Sequence, residues 1–62
     1  MYYNYHGIIK SKIKNHELLS YEIVDNYHGI SPCLILKFKD GQIKPIREYH
    51  FHDYLELIDQ YY

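Results

Sequence analysis

Sixty-two residues leave room for one domain, 1–62, with a marginal core, because a chain this short buries only about 60% of the surface its unfolded state exposes. Hydrophobic residues at 47%, charged residues at 24% and a net charge of −1 describe a chain that folds and exclude an intrinsically disordered one. No apolar run exceeds four residues, which excludes a membrane-spanning helix; the lone Cys33 excludes an internal disulfide; and no leader opens the sequence, so a reducing cytoplasm is the expected address.

Taken in chain order, the stretch from Tyr3 to Lys14 alternates with period two. Tyr3, Tyr5, Ile9 and Ile13 fall on one face and Lys10, Lys12 and Lys14 on the other, which predicts a strand with one wet face. Asn15 and His16 supply a turn, and Leu19, Tyr21 and Ile23 alternate with Ser20 and Glu22, so a second strand is expected to pair back on the first. Asn26, Gly29, Ser31 and Pro32 mark the segment from Asp25 to Pro32 as a loop.

A third strand begins near Cys33, with Leu34, Leu36 and Phe38 on one side and Lys37 and Lys39 on the other. Asp40-Gly41 predicts a two-residue type I′ hairpin turn. That register pairs Phe38 with Ile43, Leu36 with Pro45 and Ile35 with Ile46, and sets Lys37 opposite Lys44, where like charges repel. Pro45 cannot donate to a ladder and puts the fourth strand at an edge. From about Glu48 the period changes: Phe51, Leu55, Ile58 and Tyr62 form a stripe with Tyr54 and Tyr61 beside it, opposite Asp53, Glu56, Asp59 and Gln60. This predicts an amphipathic helix whose start lacks a Ser, Thr or Asn cap. The expected fold is α+β: a small antiparallel sheet of about four strands, in two hairpins, packed by one C-terminal helix.

Two features of the sequence invite chemistry and neither supports a catalyst. Asn4-Tyr5-His6-Gly7-Ile8 recurs as Asn26-Tyr27-His28-Gly29-Ile30, without aligned flanks or any solenoid signature. Five His include His50-x-His52 before Asp53, which share a face only if the segment is a strand; on a helix the rings diverge by about 200°. No metal site and no cofactor is therefore expected. Cys33 stands in an apolar strand, and Asp53 and Glu56 lie on the wet side of a helix, so neither a nucleophile nor a carboxylate pair is assembled and no enzyme is expected.

Binding is the better reading. All seven basic side chains lie in residues 1–47, and residues 48–62 hold four acids and no Lys or Arg. Lys10, Lys12, Lys14, Lys37, Lys39 and Lys44, drawn as one plane rimmed by Tyr2, Tyr3 or Tyr27, suit single-stranded nucleic acid, where basic grooves track phosphates and rings stack bases. Nine Tyr in 62 residues exceed what a small core holds, and Tyr is favoured at protein interfaces. Tyr2, Tyr3, Tyr5 and Tyr27, with the acidic row Asp53, Glu56 and Asp59, are the candidate partner-binding residues.

Gly7-Ile8 leading to Lys12-Ile13, then His28-Gly29-Ile30-Ser31, then Ile43-Lys44-Pro45-Ile46 before a helical tail span most of the chain. In these echoes, and in opening with Met-Tyr-Tyr, the sequence resembles a group of small staphylococcal prophage proteins of no established activity, while lacking their longer acidic C-terminal extension. The resemblance implies a phage context and an accessory role inside the cell. The expected function is binding of a host or phage protein, inhibiting or modulating a defence or nucleic-acid enzyme. The alternatives are a single-stranded nucleic-acid binder and a purely structural homodimer.

Overall fold

In the computed structural model, which describes residues 5–62, the first described element is a helix where the alternation predicts a strand: α1 spans Tyr5–Lys14. The reason lies in a spacing shared by both periods. Tyr5, Ile9 and Ile13 are four residues apart and so align on a helix as well as on a strand. A strand also needed apolar side chains at 7 and 11, and these are Gly7 and Ser11. Ile9 and Ile13 are buried, and Lys12 and Lys14 occupy the last turn, where they favour the helix dipole.

His16 ends α1 in the left-handed region, with φ of 60°. The Glu17 amide donates to the Lys12 carbonyl and the His16 amide to that of Ile13, both at 3.0 Å, the pairing of a Schellman cap. The turn expected at Asn15-His16 is therefore present as a helix terminus, and the first predicted hairpin is absent.

β1 (Leu18–Val24), β2 (Cys33–Phe38) and β3 (Ile43–Arg47) form one antiparallel sheet in the order β1-β2-β3. Among the described residues there are thus three strands rather than four and, with α2 (Phe51–Tyr61), two helices rather than one. The class remains α+β. A 3₁₀ turn, Glu48–His50, leads into α2, whose start has no side-chain cap, as its sequence implies.

Between β1 and β2 the loop contains a small turn of its own. Tyr27 and Ile30 exchange backbone hydrogen bonds of 2.9 and 3.0 Å around His28 and Gly29, whose φ values are 49° and 87°. Positive φ at both central residues is the type I′ signature expected instead at Asp40-Gly41. There only Gly41 is positive, at 91°. Phe38 and Gln42 close a three-residue loop: the Gly41 amide donates to the Phe38 carbonyl at 3.0 Å, the Phe38 amide to the Gln42 carbonyl at 2.9 Å, and the Gln42 amide to Asp40 Oδ1 at 2.9 Å.

The extra residue shifts the β2–β3 register by one from the expectation. Lys37 faces Ile43, Leu36 faces Lys44, Ile35 faces Pro45 and Leu34 faces Ile46. A slip of one residue exchanges the faces of a whole strand. It buries Ile46, turns Ile43 and Pro45 to the opposite face, and removes the Lys37–Lys44 clash; Lys37 pairs with Glu22 at 3.4 Å instead.

Both helices cover one face of the sheet. Leu34, Leu36 and Phe38 of β2, Leu18 and Ile46 of the flanking strands, Ile9 and Ile13 of α1, and Tyr54 and Ile58 of α2 form the core, with Phe51, Leu55 and Leu57 packed against it. Cys33 is buried in β2, outside this cluster.

Candidate interaction surfaces

The predicted lysine plane is divided by the fold. Lys10, Lys12 and Lys14 ride on α1, not on the sheet. The Lys12 ammonium reaches the β2–β3 loop and pairs with Asp40 at 2.7 Å, and this contact holds the Asp40 carboxyl below its ordinary range. Lys37 is engaged by Glu22 on the face away from the helices, while Lys44 lies on the helix side with its ammonium 5.8 Å from the centre of the Tyr5 ring. Lys10 approaches Asp53 at 3.9 Å, and Lys14 and Lys39 are exposed. A cleft of about 310 Å³ between α1 and α2 is lined by Lys10, Lys14, Asp53, Glu56, Leu57 and Gln60. Its mixed charge offers no continuous track for a phosphate chain.

The acidic row lies on the exposed part of α2, with Asp53 and Glu56 bordering the cleft toward α1. Asp53, Glu56 and Asp59 are all exposed, and Glu56 meets His52 at 3.0 Å, one helical turn away. Among the tyrosines, Tyr2 and Tyr3 lie outside the described residues. Tyr5 is half-buried; its hydroxyl donates to the Pro45 carbonyl at 3.4 Å and ties α1 to β3. Tyr27 is half-buried in its turn with the His28 ring against it at 4.5 Å.

His50 and His52 stand on a 3₁₀ turn and a helix, so the shared face that would bring them to one ion is absent. Among the described residues no group of three or more His, Cys, Asp or Glu side chains gathers closely enough to hold a metal. No described helix is long and apolar enough to cross a membrane.

A histidine pair joins the two helices instead. The His6 and His50 rings meet at a tilt of 37° with their centres 4.2 Å apart, and His6 Nδ1 lies 2.6 Å from the hydroxyl of Tyr54. Tyr54 is fully buried, and burial pushes its phenol up to about 12; the tautomer of His6 sets which of the two groups donates. Burial first, then the neighbouring His50 and Lys10, hold His6 below its ordinary value of 6.5. The residues involved are 44 to 48 positions apart, and no local pattern announces them.

A second surface feature is one the sequence pattern conceals. Leu19, Tyr21 and Ile23 are 67%, 49% and 54% exposed although their alternation is that of a half-buried strand. Tyr21 lies opposite Leu36 and Ile23 opposite Leu34, so the row is on the helix side of the sheet, where α1 and α2 leave β1 uncovered. An irregularity between Leu18 and Ser20 admits Leu18 to the core and releases Leu19 from it. Leu18, Leu19, Ser20 and Tyr21 then border an apolar groove of about 260 Å³ against Ile58 and Tyr62 of the C-terminal end. The Leu18 amide donates to the Tyr62 hydroxyl at 3.0 Å and closes one end of the strand. The cue available in the sequence was composition: β1 carries one charged residue, Glu22, and neither Lys nor Pro.

No protein-family model matches the chain, and neither a curated protein nor a solved structure does.

Proposed function

We propose that this chain is a small accessory protein of phage type, acting in the cytoplasm by binding another protein and so inhibiting or modulating a host defence or nucleic-acid enzyme. The observation that carries the binding reading is the exposed row Leu19, Tyr21 and Ile23 with its groove at Tyr62. Such a contiguous apolar surface on a small domain is a mark of protein contact. The acidic row Asp53, Glu56 and Asp59 adds a second contact suited to a basic surface, of the kind an enzyme presents to DNA. The nucleic-acid alternative loses ground because Lys12 and Lys37 are engaged within the chain and Lys37 and Lys44 face opposite sides of the sheet.

Capture from a cell lysate, with half of each sample nuclease-treated, tests the reading. A protein retained after nuclease at moderate salt, and lost with the pair Asp53→Lys and Glu56→Lys, is the expected result. Retention undiminished by the charge reversal removes the acidic row from the account. Recovery of nuclease-sensitive material alone, with an oligonucleotide affinity that falls steeply with salt, moves the site to the lysines.

A further inference from the structure

We propose that the free edge of β1 is the docking site for a second copy of this chain, joined antiparallel about a two-fold axis at Tyr21 into one six-stranded sheet. The inference rests on the protein-binding reading above and divides its surfaces: a second copy fills the apolar row, and the exposed Asp53, Glu56 and Asp59 of the pair are left to meet the other protein.

The two edges of the sheet are unlike. β3 carries Lys44, Pro45 and Arg47 in five residues, and Tyr5 reaches across to the Pro45 carbonyl. Lysine, proline and a covering element are the means by which native sheets block edge pairing. β1 has seven residues, none of them Lys, Arg or Pro, and its single charge is drawn to Lys37 within the same chain. One open edge and one blocked edge permit a closed pair and forbid a filament, because a two-fold contact uses the same patch on both copies and leaves none to propagate.

The register selects itself. With the axis at Tyr21, Leu19 of one copy meets Ile23 of the other, Ser20 meets Glu22, and Tyr21 meets Tyr21. Centring on Ser20 sets Glu22 against Leu18, and centring on Glu22 opposes two carboxylates, which destabilises a ladder. The pairing stops at Leu18 and Val24, before Glu17 and Asp25, and the Tyr62 hydroxyl already occupies the Leu18 amide.

An axis normal to the sheet keeps all four helices on one face. The partner's Ile23 then lies beside Leu19, at the mouth of the groove bounded by Ile58 and Tyr62. Leu19, Tyr21, Ile23 and Tyr62 are four of the seven large apolar side chains exposed among the described residues, so one contact covers most of what the fold leaves wet. A chain of this length gains from such a partner, since small domains commonly complete their core by association.

Sedimentation of the full chain from about 1 to 300 μM, together with cysteine cross-linking, tests the proposal. The expected result is a reversible shift from 7.6 kDa to twice that mass as concentration rises. Ile23→Lys is expected to weaken the pair at least tenfold while Ile43→Lys on the other edge leaves it unchanged. Tyr21→Cys is expected to oxidise to a disulfide-linked pair and Ile43→Cys to remain single; the buried Cys33 does not compete. Should Ile23→Lys fail to fold, the cross-linking pair decides alone. A wild-type chain that sediments at 7.6 kDa throughout the range, or cross-links equally at 21 and 43, overturns the second copy. A single-copy chain that still holds a captured protein through Tyr21 leaves the broader binding reading standing while the dimer falls.

Discussion

β1 and β3 flank the same central strand and differ in almost everything that governs association. β3 is short, basic and interrupted by Pro45, and Tyr5 of α1 leans onto it; β1 is longer, nearly uncharged, and exposes Leu19, Tyr21 and Ile23. An edge strand that served only to complete the fold would be expected to carry the protections of β3. The confinement of those protections to one side is the contrast on which the proposed β1 contact rests.

The comparison breaks most completely at the strand both edges share. Phe38→Ala removes a fully buried ring from the core between the helices and the sheet, at a cost of about 3–5 kcal/mol. That is close to the whole stability expected of so small a domain. Urea titration should find the variant largely unfolded, with both edges lost together.

Removing the guard from β3 is the next largest change. Lys44→Thr with Pro45→Ile restores a ladder donor and deletes a charge, giving the sheet two open edges. Light scattering is then expected to grow with concentration beyond the pair, and adding Ile23→Lys should halt that growth. A doubly substituted chain that stays at its wild-type mass would mean that Pro45 and Lys44 guard nothing.

The contact that joins α1 to α2 should respond to pH. His6 has its protonation held below 6.5 in the folded chain, so the unfolded chain binds more protons as pH falls past that value. Stability is expected to be level above about 6.5 and to decline below it, down through the lower folded value. Denaturation midpoints at pH 7.5 and 5.5 read the difference, and His6→Gln, which keeps an acceptor for Tyr54, should reduce it. Tyr54→Phe deletes the hydroxyl bonded to His6 and is expected to cost about 1 kcal/mol near neutral pH.

Much of the fold was legible because its signals are local. The change of period at Glu48, the loop at Asp25 to Pro32 and the edge position of Pro45 follow from residues adjacent in the chain, and all three stand. What was not legible depends on choices between patterns of equal local merit. Tyr5, Ile9 and Ile13 satisfy either period, and the sheet already formed by β1 to β3 offers them a face that a helix can cover. Asp40-Gly41 fits a two-residue or a three-residue loop, and the loop that places Ile46 rather than Arg47 against Leu34 prevails.

The repeated Tyr-His-Gly-Ile shows this most plainly, since residues 5–8 are helix and residues 27–30 a type I′ turn. The same substitution should therefore act with opposite signs. Gly29→Ala meets no neighbour but is strained at φ of 87°, and a loss of about 1 kcal/mol is expected. Gly7→Ala, in α1, is expected to gain about 0.5–1 kcal/mol. Thermal melts of the two variants measure both. The exposure of Asp53, Glu56 and Asp59 follows from helical spacing, whereas that of Leu19, Tyr21 and Ile23 depends on how far two helices extend across a sheet, which no strand-length pattern encodes.

Backbone amide exchange, resolved by residue and repeated at low and high protein concentration, compares the two edges most directly. Protection of the outward-facing β1 amides that rises with concentration, while β3 amides stay unchanged, is the result this account predicts. Outward β1 amides that exchange equally fast at every concentration would contradict it.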